Sequence, residues 1–259
     1  MRYYFLFILL ISLNSLAIWG QENEPFEADT ITLTNETIAV LSSLTVGDET
    51  MYFNENETLT SYFQLSIIEK NEFLSKNKQA CNYIIRDTNK IKKRNGLIEL
   101  KCEQTIRKIS DYIPDSTGND EDIQTFEYIG QIPFLNVYIV LGVYWEEYDY
   151  KFIDKTTGEE IASFFELPLI SADKKQLICI AANPYEMTAD VSYFNINNKQ
   201  ILPIASMSFT NWMPTDYSSE VFWHADGSFY AGINSISNFW NKSGDTNPSS
   251  HFIKFTIIN

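Results

Sequence analysis

The second half of the chain alternates apolar and polar residues in short segments that are separated by turn residues. The alternation starts near residue 125 and continues to the C-terminus. Helical periodicity is rare, and the best helical candidate, Tyr62–Leu74, suits a strand equally well. A period of two residues is typical of strands with one buried face. The sequence therefore predicts an all-β fold built from antiparallel hairpins.

Two kinds of hairpin alternate in this half of the chain. In one kind, Ile153 or Ile196 precedes the turn, and in the other kind an Ala-Asp pair lies in the turn. The four hairpins occupy residues 148–165, 168–183, 191–206 and 221–234. The resulting period of roughly 43 to 53 residues is typical of propeller blades and related arrays.

The Ala-Asp turns, at Ala172-Asp173 and Ala225-Asp226, resemble the Ser-Pro-Asp-Gly turn of the WD40-like repeats found in TolB-type β-propellers. In those repeats an aspartate caps the turn between the first two strands of a blade, and the resemblance implies the same role for both aspartates here. The chemistry is suitable, because aspartate accepts backbone N–H bonds in tight turns and Gly227 can adopt a positive φ.

The resemblance covers about residues 125–259 and departs from the pattern at Lys174-Lys175, which replace the glycine in the first turn. It implies a propeller-like array, in which a segment within residues 29–42 pairs with the final strand, Phe252–Ile258. A β-sandwich made of the same strands is the alternative. The order of motifs also resembles exported bacterial proteins of this size, and that resemblance implies no activity.

The N-terminus is predicted to be an export signal. Arg2 is followed by the apolar segment Tyr3–Leu13 and then by small residues, which is the layout of a secretory signal peptide. The apolar run is too short for a membrane-spanning helix. We therefore expect residues 1–20 to be a signal peptide and residues 21–259 to be a single all-β domain. That domain is expected to be a monomer in the periplasm or outside the cell.

The charge distribution limits the partners that we expect. A formal net charge of −15 disfavours nucleic acids and anionic membranes, because both are polyanions. Eight of the 19 lysine and arginine residues lie between Arg86 and Lys108. This basic segment is either a docking patch for an acidic partner or a solvated loop that balances local acids. We expect no cofactor and no bound metal.

The three cysteines lead to a disulfide prediction. The segment between Cys81 and Cys102 is centred on a polar loop, so strands 81–86 and 97–102 are predicted to pair with the two cysteines opposite each other. An exported location permits a bridge, and closing this loop would contribute about 3 kcal/mol. Two buried thiols are the alternative. Cys179 lies in an apolar run and is expected to be a buried thiol.

Aromatic residues near the C-terminus provide the candidate binding site. They are interspersed with asparagines, and such a mixture suits stacking on a sugar or gripping a peptide. The predicted ligand-binding residues are Trp212, Tyr217, Trp223, Tyr230 and Trp240. Ordinary packing in a β core is the alternative for these side chains.

The sequence carries none of the common catalytic motifs. His224 and His251 are the only histidines, and neither lies in a metalloprotease motif, nor is there a Gly-x-Ser-x-Gly elbow or a Walker loop. His224 stands where the other Ala-Asp turn has Ser171, so we expect it to serve the turn. The sequence predicts a non-catalytic binding module for a protein or glycan partner in the envelope or outside the cell. The alternatives are a secreted hydrolase with an acidic or His224-centred cleft and a toxin-neutralising protein.

Overall fold

The computed structural model describes residues 31–54, 57–115, 118–215 and 219–258. The predicted signal peptide and Tyr217 lie outside these described residues. Within them the chain is all-β with antiparallel sheets, which confirms the predicted class. None of the helices in this part of the chain is both long enough and apolar enough to cross a membrane.

The described part of the chain contains one α-helix and 17 strands. The helix, α1, is Lys70–Asn77. In chain order the strands are β1 Leu41–Val46, β2 Glu49–Tyr52, β3 Phe63–Ile68, β4 Leu97–Lys101, β5 Ile106–Ser110, β6 Thr125–Ile132, β7 Val137–Val143, β8 Tyr148–Asp154, β9 Glu160–Phe164, β10 Leu169–Ile170, β11 Gln176–Asn183, β12 Thr188–Asn197, β13 Gln200–Phe209, β14 Trp212–Pro214, β15 Val221–Trp223, β16 Phe229–Ser235 and β17 His251–Ile257.

From Thr125 onward the chain folds as three consecutive antiparallel meanders. The first meander is the four-stranded sheet β6–β9, and the second is β10–β13, which β1 and β2 extend to six strands. In the third, β14 and β15 pair with successive parts of β16, and β17 pairs with its other side. The meanders begin at Thr125, Leu169 and Trp212, so they recur about every 43 residues, at the lower end of the predicted period.

Both Ala-Asp turns have the predicted capping geometry. Oδ1 of Asp173 and Oδ1 of Asp226 each accept a hydrogen bond from the backbone N–H two residues further on, at 3.1 and 3.0 Å. The first turn joins β10 to β11 and the second joins β15 to β16. Lys174 has a φ of 61° and Gly227 a φ of 85°, so the lysine adopts the conformation that glycine provides in the second turn.

The meanders pack face to face, and the largest core lies between the second and the third. It also includes β3, which pairs with β17 and completes the third sheet. The largest fully buried side chains in this core are Phe63, Phe209, Trp212, Trp223, Phe229 and Phe255. Burial of this much apolar surface is the main term that stabilises the fold.

The first meander is covered on both faces. Phe152 shares a core with Leu177 and Cys179 of the second meander, and Cys179 is fully buried as predicted. On the opposite face, Ile98 and Leu100 of the two-stranded sheet β4–β5 are fully buried. The stacking order is therefore β4–β5, first meander, second meander and third meander.

The C-terminal strand pairs with a segment other than the predicted one. β17 pairs along β3, from Phe252 opposite Ile68 to Ile257 opposite Phe63. In the described part of residues 29–42, Leu41 instead pairs with β13 of the second sheet. The predicted closure by residues 29–42 is therefore wrong. β3 can occupy this place because its alternating residues bury one face, whereas much of the predicted segment forms a turn and a short 3₁₀ helix.

The predicted pairing of strands 81–86 and 97–102 is also wrong. β4 pairs with β5 through a short turn, and Ile85 pairs with Gln131 of β6. Cys81 and Cys102 are both free thiols, so the predicted bridge is absent from this structure. The turn between β4 and β5 is much shorter than the loop that the prediction required. A shorter loop costs less entropy to close, which favours the pairing of nearest strands.

Candidate functional site

An extended segment, residues 80–86, crosses the three meanders in turn, and we call it the strap. The Cys81 N–H donates to a backbone carbonyl of β15 at 2.7 Å. The Tyr83 hydroxyl donates to a carbonyl in the β10–β11 turn at 2.9 Å. Ile85 exchanges two backbone hydrogen bonds with β6, at 2.9 and 3.0 Å. The strap is therefore attached to all three meanders.

An open cavity of about 410 Å³ lies beside the strap. Its walls come from the strap, from the start of β8, from the β9–β10 connection, from β11 and from the region between β14 and β15. The larger apolar side chains in its lining are Ile84, Leu167, Leu169, Ile180, Val221 and Phe222. The cavity thus lies where the three meanders and the strap meet.

Glu166 supplies the one carboxylate of the described lining. The Tyr148 hydroxyl donates to its Oε2 at 2.9 Å, and the backbone N–H of Leu167 donates to its Oε1 at 2.7 Å. Both carboxylate oxygens are therefore already engaged. Such bonds fix the orientation of the carboxylate at the cavity wall.

Arg86 supplies the one cationic side chain of the described lining. It is exposed, and its guanidinium makes no hydrogen bond or ion pair with the residues that the structure describes. Burial raises the pKa of the nearby Tyr150 hydroxyl; the charge on Glu166 raises it further and the charge on Arg86 lowers it. The lining of the cavity therefore includes a cation without an ion pair among the described residues and an anion that accepts a hydrogen bond at each oxygen.

Cys81 places a thiol in the cavity wall. It is half-buried, and this burial is the main cause that raises its pKa, against the opposing effect of a hydrogen bond with Tyr83. A raised pKa keeps the group as the neutral thiol at neutral pH, and the thiolate is the nucleophilic form. The thiol is thus suited to packing against a ligand more than to attacking one.

Three of the predicted ligand-binding aromatics lie away from the cavity. Trp212, Trp223 and Tyr230 have no exposed surface, and none of them lines the cavity. The indole Nε1 of Trp212 donates to a backbone carbonyl at 2.8 Å, and that of Trp223 does so at 3.0 Å. Large aromatics are buried readily when their polar atom has such a partner. Buried rings cannot reach a partner in solution, so these three residues form core and not a binding face.

Trp240 does not restore that face. Trp240 is 43% exposed and packs edge-on against Phe239, away from the cavity. Tyr217 lies outside the described residues. None of the four described aromatics lines the cavity, and the residues that do line it were not predicted to bind a ligand.

His224 serves its turn, as predicted. It is buried, and its Nδ1 accepts a hydrogen bond from the backbone N–H of Asp226 at 3.1 Å. It does not line the cavity. A glycosidase would need two converging carboxylates, and the described lining contributes Glu166 alone. Among the described residues, the lining of this cavity therefore contains neither a pair of carboxylates nor a histidine.

Comparison with known proteins adds no assignment to these residues. No family model, no curated protein and no solved structure matches the chain. Across the described ranges, no three histidine, cysteine, aspartate or glutamate side chains are grouped so as to hold a metal ion.

Proposed function

We propose that the protein is an exported, non-catalytic binding module that holds a protein partner at the cavity beside the strap. The cavity itself carries the proposal. It combines an apolar lining with a few polar groups, Arg86, Glu166 and Tyr148 among them. A volume near 400 Å³ with this kind of lining is typical of ligand sites. The predicted signal peptide supports a location in the periplasm or outside the cell.

The state of the polar groups supports binding over catalysis. Glu166 already uses both carboxylate oxygens, and the Cys81 thiol has a raised pKa. Neither group has the properties of an activated nucleophile or of a free general base. The aromatic side chains that suggested a glycan ligand belong mostly to the core, which leaves a protein as the favoured partner.

The stacking of the meanders supports a propeller-like relationship with TolB-type repeats. Consecutive meanders of about 43 residues pack face to face, and an Asp-capped turn lies at the start of the second and within the third. A β-sandwich accommodates the same sheets, so the propeller-like array is our proposal for the arrangement. The cavity lies beside the first two strands of the second meander, beside β14 and β15 of the third, and beside the start of β8 in the first.

The proposal is tested by filling the cavity. Ala80 lines the cavity and is exposed, so Ala80→Trp should occupy it, whereas Ala225→Trp adds the same side chain to an exposed turn outside it. Immobilised wild-type protein should capture a partner from an extract of exported proteins. The bound partner should also shield Cys81 from maleimide labelling. Ala80→Trp should lose both effects and Ala225→Trp should keep them.

Two results would contradict the proposal. One is equal capture by wild type and Ala80→Trp, since the partner would then bind elsewhere. The other is a captured partner that leaves the labelling of Cys81 unchanged. Labelling is followed on the Cys81 peptide by mass spectrometry, so that the other thiols do not contribute.

A further inference from the structure

One wall of the cavity is the edge of a strand. β11 pairs with β12 from Gln176 to Asn183, but it pairs with β10 only at Leu177 and Ile178. Beyond Ile178, no strand in the described part of the chain covers that side of β11. The second meander therefore has an unpaired edge between Ile178 and the end of β11 at Asn183, and this edge lines the cavity.

The hydrogen-bonding direction along β11 follows from two bonds at its start. Lys175 O accepts from β12 at 2.7 Å, whereas Gln176 O accepts from the β10 side at 3.0 Å. Backbone groups of successive residues in an antiparallel strand point to alternate sides. The N–H and C=O groups of Ile180 and Ala182 consequently point to the unpaired side, and no other described group accepts from either N–H.

The lining of the cavity agrees with this geometry. Ile180, Ala181 and Ala182 all line it. Because successive side chains of a strand point to opposite faces, three consecutive residues can share one wall only where the strand presents its edge. The two alanines are small, which leaves the backbone of this edge accessible. An open edge of this kind is a template for another strand.

The charge at the same cavity specifies one feature of the occupant. Arg86 forms no ion pair among the described residues, and Glu166 accepts its hydrogen bonds from Tyr148 and Leu167. A guanidinium binds a carboxylate through two parallel hydrogen bonds, and each of these is stronger than a hydrogen bond between neutral groups. The occupant should therefore carry a carboxylate within reach of Arg86.

We propose that the cavity takes an extended peptide segment, which adds to the open edge of β11 as a further strand and places a carboxylate on Arg86. Strand addition is an established mode of peptide recognition, in which the backbone supplies affinity and flanking groups supply specificity. This inference rests on the proposed function and narrows the protein partner to a chain segment that is extended when bound. The carboxylate comes from an aspartate, a glutamate or the C-terminus.

The first experiment selects peptides and measures the role of the cation. A random hexapeptide pool with free C-termini is passed over immobilised full-length protein, and an enriched peptide is titrated by calorimetry. Arg86→Gln should weaken binding about ten- to a hundredfold, the range for a lost hydrogen bond to a charged group. Lys92→Gln is the matched control, because Lys92 is an exposed cation outside the cavity lining. It should bind as wild type does.

Changes in the peptide identify the carboxylate. The C-terminal amide and the Asp→Asn or Glu→Gln peptides are titrated against wild type and against Arg86→Gln. The one that removes the bound carboxylate should weaken binding to wild type and have no further effect on Arg86→Gln. Equal losses with both proteins for every peptide would overturn the contact with Arg86.

A second set of changes tests the strand pairing. Ala182→Pro removes an N–H from the open edge and leaves the β12 side of the ladder in place, and proline is tolerated at such edges. It should weaken binding. Two peptides are also compared, one methylated at the odd-numbered backbone nitrogens and the other at the even-numbered ones. One of them should lose binding to wild type and the other should keep it. This comparison does not depend on how well Ala182→Pro folds. Equal affinity of the two methylated peptides would overturn strand addition.

The outcomes separate this inference from the proposed function. If no hexapeptide is enriched but a folded exported protein is captured with Cys81 shielded, the extended peptide is excluded and the binding module stands. If a glycan is captured in place of any protein, both proposals fall. The same holds if nothing is captured and Cys81 labelling never changes.

Discussion

The backbone N–H of Cys81 donates a hydrogen bond of 2.7 Å to the carbonyl oxygen of Trp223. This bond attaches the start of the strap to the third meander, while Ile85 attaches its end to the first. The cavity lies beside the segment between these two attachments. The strap thus forms a wall that is held at both ends, and the Cys81 thiol reports on its position.

Gly130 is where the strap approaches the first meander most closely. A Cβ on Gly130 would lie 2.6 Å from Ile85 O, and its φ is 155°. Gly130→Ala should therefore lower the free energy of unfolding by about 1–3 kcal/mol, the usual cost of overpacking. It should also displace the strap and so speed maleimide labelling of Cys81. Urea unfolding and the labelling rate measure the two effects.

Gly47→Ala provides the control for this prediction. Gly47 has a φ of 60°, but nothing lies within 4 Å of an added Cβ. This variant should lose stability through backbone strain alone and label at Cys81 as wild type does. Wild-type labelling of Cys81 in Gly130→Ala would show that the strap does not depend on this contact.

The three thiols should react according to their burial. Cys81 and Cys102 are half-buried and free, whereas Cys179 has no exposed surface and burial raises its pKa well above the usual value. Maleimide should therefore label Cys81 and Cys102 in the native protein, and Cys179 only after unfolding. Mass spectrometry of a non-reduced digest measures this. A linked Cys81–Cys102 peptide from protein taken from its native compartment would contradict it.

Trp212 and Trp240 should differ in their contribution to stability. Trp212 has no exposed surface and stacks on Phe209 with ring centroids 5.3 Å apart. Trp212→Ala should lower the free energy of unfolding by about 3–5 kcal/mol, as truncations of buried aromatics do. Trp240→Ala, at a 43% exposed side chain, should cost less than about 1 kcal/mol. Urea unfolding of both variants tests this, and similar losses would contradict the burial of Trp212.

Local patterns in the sequence sufficed for the hairpins of the second half. The turns at Asp173 and Asp226 depend on residues within a few positions of each other, so their capping could be predicted from the turn chemistry. The ambiguous segment Tyr62–Leu74 also has a local explanation. It contains strand β3 followed by the start of α1, so both readings of its periodicity apply to different parts.

Long-range pairing could not be read from the same patterns. β3 meets β17 across most of the chain, and Ile85 meets Gln131 through a single bridge. Alternation predicts that a strand exists, but several partners can bury the same face. The candidate site depends on these pairings, so Arg86 appeared only as part of a basic segment. Trp212 was predicted to bind a ligand because asparagines lie among the aromatics of this segment, whereas its ring is buried in the core.

Asp226 should make stability depend on pH in acid. Burial alone would raise its pKa, but hydrogen bonds from Lys76 Nζ at 2.8 Å and from the Ser228 N–H at 3.0 Å hold it well below its usual value. The folded-state pKa is depressed, so the stabilisation is complete above the unfolded-state pKa, near 4, and is lost as the pH falls from there through the folded-state value.

Lys76→Gln should remove part of this stabilisation. Lys78→Gln should not, because Lys78 is exposed and has no ion pair among the described residues. Urea unfolding from pH 7 down to the acid limit of folding should thus show a gap between wild type and Lys76→Gln that narrows below about pH 4. A gap of constant size over that range would mean that the ion pair with Asp226 does not contribute to stability.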